Sequence, residues 1–204
     1  SVMRFSLICP SRSRPEKSAQ TLSKWSCYAR NPENVEFIRS LDSDDPKLSG
    51  YIGRSKNAII APNKNAVEAI NNAAKYSEGD ILIVVSDDTN CEMWWDKTLL
   101  DAIGNSKDFV MKTDDGIQKR IITMPILDRS YFDRDGFIYD PEFYHSWSDS
   151  WFTELAHRRG RVIVRRDIKF PHDHYSVTGE QPDELYKRND LTHDRDRHIF
   201  QGGL

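Results

Sequence analysis

The chain has 204 residues, 38% of them hydrophobic, which suffices for one real core and leaves no room for two independent domains of ordinary size. Its 30% charged content describes a wet surface, and a net charge of −3 excludes the broad positive field that a polyanion binder spreads over its surface, so no nucleic-acid partner is expected. The longest apolar runs, at 59–62 and 81–85, fall far short of the roughly 18–20 residues that cross a bilayer, so no membrane span is expected. The first residues lack the basic-then-apolar layout of a secretion signal. Cys9, Cys27 and Cys91 are odd in number and without CxxC spacing, which reads as reduced thiols and an expected cytoplasmic location.

Residues 4–9 alternate Phe5, Leu7 and Cys9 and close on Pro10-Ser11, the pattern of a strand running into a loop. Pro15 suits a first helical position, and Ala19, Leu22, Ser26 and Ala29 recur at helical spacing until Asn31-Pro32. Residues 35–41 read as a second strand, followed by the polar breaker 42–46. A short apolar piece at 58–61 is a further strand candidate. Residues 65–77 place Val67, Ile70 and Ala74 on one helical face and lead into 81–85, a continuous apolar strand suited to burial on both faces. A helix carrying Trp95, Leu99 and Ile103 follows. Residues 109–113 and 120–124 read as a hairpin around Asp114-Asp115-Gly116. Ser148 reads as the N-cap of a helix stopped by Gly160, residues 162–164 as a strand, and the tail from Pro182 as another helix. The class is α/β, with a mostly parallel central sheet flanked by helices and a small antiparallel element. No linker or repeat divides it, so 1–204 reads as a single domain.

Ligands of open α/β sheets bind outside the carboxyl ends of strands, which makes 10–14, 42–45 and 86–88 candidate walls of one site. Arg12 and Arg14 suit a diphosphate, and Asp42 suits a hydrogen bond from a base or ribose, although turns favour Arg and Asp in any case. Asp87 and Asp88 stand directly behind the most apolar strand, where a hard divalent cation would neutralise them and bridge to phosphate oxygens. An exposed acidic turn would look the same, and Asp42-Ser43-Asp44 competes for the metal role. His172 and His174 bracket Asp173 as candidate metal ligands or as plain loop residues. Asp149 lies in the first turn of its helix between Trp147 and Trp151, positioned either as a general base beside rings that stack a sugar or as a carboxylate favoured by the helix dipole.

These pieces in this order resemble the GT-A glycosyltransferases, particularly small family-two-like members of bacterial or viral type. The resemblance runs from about Phe5 to Tyr186 through Cys9-Pro10-Ser11-Arg12, the acidic exit 42–45, Asn63-Lys64-Asn65, the run from Gly79 to Asp88, then residues 131–136, Ser148-Asp149-Ser150 and His172-Asp173-His174. It implies a nucleotide-diphospho-sugar transferase fold, with a nucleotide-binding half at 1–105 and an acceptor half at 106–204 ending in a helical tail. By that resemblance Pro10, Arg12, Arg14 and Asp42 hold the donor nucleotide and Asn63 or Lys64 lines its pocket. Asp87 then contacts the ribose or sugar, Asp88 with His172 or His174 holds Mn²⁺ or Mg²⁺, and Asp149 is the catalytic base. Ser86 stands where the family often has its first aspartate, and Ser148 replaces an acidic neighbour of the base. The expected function is metal-dependent, inverting transfer of a hexose-like sugar from a nucleotide-sugar, a UDP-sugar first among them, to a glycan or other hydroxyl acceptor. Two alternatives stand beside it: a non-catalytic sugar-nucleotide or glycan-binding module of the same fold, and a nucleotidyltransferase, which needs a Gly-rich loop that 10–15 lacks.

Overall fold

The computed structural model describes residues 2–51, 57–143, 147–173 and 200. Seven strands form one sheet: β1 (Phe5–Ser11), β2 (Val35–Asp42), β3 (Ala58–Ala61), β4 (Ile81–Val84), β5 (Val110–Asp114), β6 (Ile126–Asp128) and β7 (Val162–Lys169). They lie in the order β3-β2-β1-β4-β6-β5-β7. Every neighbouring pair is parallel except the two made by β6, which runs against both β4 and β5. Among the described residues the sheet is accompanied by the α-helices α1 (Pro15–Tyr28), α2 (Ala66–Lys75), α3 (Trp95–Ile103), α4 (Arg129–Asp135) and α5 (Ser148–Arg158).

The period-2 pattern of the central strands divides their side chains between two cores. Phe5, Leu7 and Cys9 of β1 and Ile81 and Ile83 of β4 pack with Trp25 of α1 and Trp95 and Leu99 of α3. The intervening Ile8, Leu82 and Val84 pack instead with Val67 and Ile70 of α2, Phe132 of α4 and Phe152 of α5. A strand buried on both faces cannot alternate apolar with polar, which is why β4 reads as an unbroken apolar run. Trp25 is fully buried, lies at 5.0 Å edge-on to Trp95 and at 5.4 Å stacked on Phe170, and donates its indole N–H to the Thr89 carbonyl at 3.0 Å. The turn after β4 and the segment after β7 are thereby fastened to one aromatic core.

The strands, helices and breakers up to Ile103 stand where the sequence places them. The second half of the expected hairpin does not: residues 120–124 form no strand, and β5 pairs with β6 at 126–128. Side chains have taken that segment's hydrogen bonds. Lys112 Nζ donates to the Ile121 carbonyl at 2.8 Å, the Ile122 N–H donates to Thr153 Oγ at 2.9 Å, and the Thr123 hydroxyl donates to Asp115. The residues from 129 to 135 form α4, whose N-cap is Asp128, accepting from the Tyr131 N–H at 3.0 Å. Ser148 is not a cap but the first residue of α5; the position before it is Trp147, held at φ 66°. Gly160, at φ 66°, does end that helix in the left-handed region that glycine tolerates. The expected tail helix lies outside the described residues. Among the described residues no helix is long and apolar enough to cross a membrane, and Cys9, Cys27 and Cys91 are free.

Candidate active site

The carboxyl ends of β1, β2 and β4 meet at one edge of the sheet. At the end of β2, Asp42 is buried and gripped from two sides: Arg12 Nη1 donates to its Oδ2 at 2.8 Å and Asn63 Nδ2 to its Oδ1 at 3.0 Å. Arg12 also reaches Asp44 at 2.6 Å, and Asn72 Nδ2 fixes the Asn63 amide at 2.6 Å. Asp45 shapes the loop after β1, accepting from the main-chain N–H of Ser13 at 2.7 Å and of Lys47 at 2.8 Å, and so holds Ser13 at φ 59°. Pro10 lies within β1 opposite Ser40, and Lys64 points to the exposed surface one residue past Asn63.

Behind β4, Asp87 ends a directed chain of hydrogen bonds. Ser11 Oγ donates to Asp87 Oδ2 at 2.7 Å, which leaves Tyr51 Oη, 2.7 Å from the same Ser11 oxygen, as the donor to it; Tyr51 in turn accepts the Arg14 N–H at 2.9 Å. Donors aligned in one sense polarise one another and stabilise the terminal carboxylate. Burial nonetheless pushes Asp87 up to about 7, with Asp88 adding to the rise and Ser11, Arg14 and the buried Arg39 opposing it. Asp87 therefore sits where small changes in nearby charge alter its protonation.

Asp88 is 4% exposed and carries two cations from the start of α1, Arg14 Nη1 at 2.9 Å and Lys17 Nζ. His172 Nε2 lies 4.0 Å from Asp88 Oδ2. Main-chain bonds enforce this approach: Thr89 and His172 form an antiparallel bridge, the Asn90 N–H donates to the Pro171 carbonyl at 2.7 Å, and the Asp173 N–H donates to the Asp88 carbonyl at 2.8 Å. Two donors that each lie about 2.1 Å from one ion are at most about 4.2 Å apart, so at 4.0 Å this oxygen and nitrogen could share a divalent cation only from nearly opposite sides, beside the Arg14 that already bonds the same oxygen. Among the described residues no cluster of three or more His, Cys, Asp or Glu surrounds them, and His174 lies outside those residues. Ser86 has structural work of its own: its hydroxyl bonds Thr89 Oγ1 at 2.9 Å and accepts the Asp88 N–H at 3.3 Å, closing the turn that aims Asp88.

Asp149 approaches from α5. Its carboxylate accepts the Ser150 N–H at 2.8 Å, and burial, reinforced by the charge of Asp115, raises it to about 6. Asp115 ties the two sides together, because its carbonyl accepts the His172 N–H at 3.1 Å. Asn71 of α2 accepts from the Ile138 and Tyr139 N–H groups at 3.1 Å each and so seats buried Tyr139 under α5 at 5.8 Å from Phe152.

No family model and no curated protein matches the sequence. Solved structures do match the fold. S. aureus TarS aligns over 82% of this chain and 36% of its own, at 16% identity and a TM-score of 0.66. Its fragment 1–349 in complex with UDP aligns over 82% and 59%, at 17% identity and 0.67. The mannosyltransferase PcManGT from Pyrobaculum calidifontis, in complex with GDP-Man and Mn²⁺, aligns over 83% and 56%, at 10% identity and 0.66. The chain has the GT-A glycosyltransferase fold. It spans less than two thirds of the length of each of these structures.

Within this GT-A sheet, Arg12, Arg14, Asp42, Asn63, Asp87, Asp88 and His172 converge on one edge, with Lys64 exposed beside Asn63 in the chain. Ser11 falls within the wall 10–14 read from the sequence, whereas three participants, Lys17, Tyr51 and Asp115, are given no site role there. Lys17 looks like any exposed helix residue, and Tyr51 is an isolated aromatic 36 positions from Asp87. Asp115 stands in the acidic turn Asp114-Asp115-Gly116, where consecutive carboxylates are a signal for a binding role as well as for a turn.

Proposed function

We propose that the protein transfers a sugar from a nucleotide-diphosphate donor to an acceptor hydroxyl with inversion, with residues 1–105 serving the donor and 106–204 the acceptor. The observation that carries this reading is the approach of His172 to Asp88 beside the Arg12–Asp42 pair, two halves of a donor site on one sheet edge. Support also comes from the UDP and GDP-Man in the two structural neighbours.

In this mechanism Asp42, held rigid by Arg12 and Asn63, receives hydrogen bonds from the nucleoside, and Asp87 orients the ribose or sugar. Arg14 and Lys17 move from Asp88 toward the diphosphate, neutralising charge as the sugar leaves. A divalent cation held by Asp88 and His172, with His174 the other histidine candidate, supplies further positive charge to the same oxygens when bound. The acceptor oxygen attacks the anomeric carbon opposite the diphosphate, the bond from that carbon to the diphosphate oxygen breaks, and the acceptor proton passes to Asp149. A base near 6 is ionised at neutral pH yet basic enough to take that proton as the new bond forms. A UDP-sugar is the first donor to test.

The experiment is a panel of nucleotide sugars with Mn²⁺ or Mg²⁺, reading donor hydrolysis or transfer and the melting temperature. A donor that raises the melting temperature and is consumed supports the reading; a panel with neither effect overturns it.

A further inference from the structure

Between α5, β5, β7 and the segment 119–121 lies a cavity of about 460 Å³. Four cations line it: Lys112, Lys119, Arg120 and Arg166. Lys112 is only 5% exposed, and its Nζ donates to the carbonyls of Ile121 at 2.8 Å and Gln118 at 3.4 Å. Among the described residues none of the four makes an ion pair with a carboxylate, although Arg134, Arg158, Arg159, Arg161 and Arg165 in the same half of the chain each do. The one acid in the lining, Glu154, is engaged by Arg158 at 2.9 Å. Burial lowers the Lys112 pKa, and Arg166 lowers it further, against Asp115 and Asp114. Gathering like charges around a cavity costs folding free energy in a chain that is acidic overall, and a bound anion offsets that cost.

Trp147 and Ser150, on either side of the Asp149 region, also line the cavity, and Phe200 packs there at 5.1 Å from the Trp147 ring. We propose that this cavity, lined by Trp147 and Ser150 on either side of Asp149 in the chain, binds the phosphate group of a phosphorylated sugar that serves as the acceptor. A phosphate monoester brings nearly two negative charges and three acceptor oxygens, which match guanidinium and ammonium groups lining one cavity better than a carboxylate does. The volume suits a single sugar-phosphate unit. Phosphate bonds are neither made nor broken: the acceptor hydroxyl gives its proton to Asp149 and gains the sugar. The acceptor role rests on the transferase reading above; the anion site itself does not.

The test is calorimetric titration of the full chain with a hexose monophosphate, the parent hexose and a short single-stranded oligonucleotide, with UDP present to occupy the donor site. Arg120 and Arg166 are exposed, so the R120S/R166S double variant leaves the core intact. Expected is at least tenfold tighter binding of the hexose monophosphate than of the hexose, lost at least tenfold in the double variant, with UDP affinity unchanged. Equal binding of hexose and hexose monophosphate, or undiminished binding by the variant, overturns the site. Oligonucleotide binding lost in the variant, with no hexose monophosphate binding, overturns the acceptor class in favour of nucleic acid. Variant-sensitive hexose monophosphate binding in a protein that takes no nucleoside diphosphate keeps the anion site and overturns the transferase reading alone.

Discussion

Replacing Asp149 by Asn is expected to slow transfer severely and at the same time stabilise the protein, in a way that depends on pH. Burial raises this carboxyl from 3.8 to about 6, so its ionised form is disfavoured in the fold. At about 1.4 kcal/mol per pH unit, the ionised carboxylate costs the folded state about 3 kcal/mol. A raised carboxyl contributes its stability in full below pH 3.8, where it is protonated folded or unfolded, and loses it as pH rises through about 6. Asn keeps the size and the oxygen that accepts the Ser150 N–H, and it cannot ionise. In a domain of this size 1 kcal/mol moves Tm by roughly 2–4 °C, so D149N should melt roughly 6–12 °C higher than the parent at pH 8, with the gap closing toward pH 4. Scanning calorimetry at intervals from pH 4 to 8 measures it. Turnover should fall by roughly 10²–10⁴-fold, with donor affinity retained, and the parent's rate should rise with pH through about 6. A Tm difference that is absent, or that does not change with pH, would refute the argument that Asp149 is held there at a cost for its chemistry.

Other perturbations probe the remaining parts. Mn²⁺ added to the chelator-treated protein with UDP should raise Tm, and D88N or H172A should remove that rise, measured by thermal shift; an undiminished rise in both variants places the ion elsewhere. Tyr51→Phe removes the hydroxyl between the Arg14 N–H and Ser11, leaving buried polar groups unmatched at a cost of about 1–3 kcal/mol in stability and loosening Asp87; calorimetry should show a lower Tm and nucleotide titration a severalfold weaker donor affinity. Gly79→Ala would put a Cβ 2.5 Å from Ser6 Oγ and 2.8 Å from the Ser6 nitrogen, forcing β1 from the turn before β4. A loss of about 1–3 kcal/mol should follow in denaturant unfolding, since that neighbour is backbone and cannot swing aside.

What the sequence discloses and what it hides divide along a physical line. Strands β1, β2 and β4 are legible because their side chains face packed layers, so apolar periodicity records the environment directly. Asp42 and Asp88 are legible because an acid behind a buried strand has only the sheet edge to occupy. The segment from 115 to 125 is not legible: its shape comes from Lys112, Asp115 and Thr153 binding its main chain, and such bonds leave no period in the sequence. The same holds for the order Arg14, Tyr51, Ser11, Asp87, a relay assembled from three separate stretches. Trp147 in a left-handed conformation before α5 also contradicts local preference, which favours Ser148 as the cap.

The reversed direction of β6 has an evolutionary corollary. In a sheet of uniformly parallel strands, only segments leaving a strand arrive at the ligand-bearing rim. An inverted strand starts there, so the stretch entering β6 is delivered to the same rim and anchored at its far end by the Val84 N–H bonded to the Pro125 carbonyl at 3.0 Å. That stretch carries Lys119 and Arg120, and its Asp115 touches the cluster only through the carbonyl that accepts the His172 N–H. On the acceptor role proposed for the neighbouring cavity, changes in the length or charge of this stretch would alter which acceptor is taken and leave Asp42, Asp87 and Asp88 untouched.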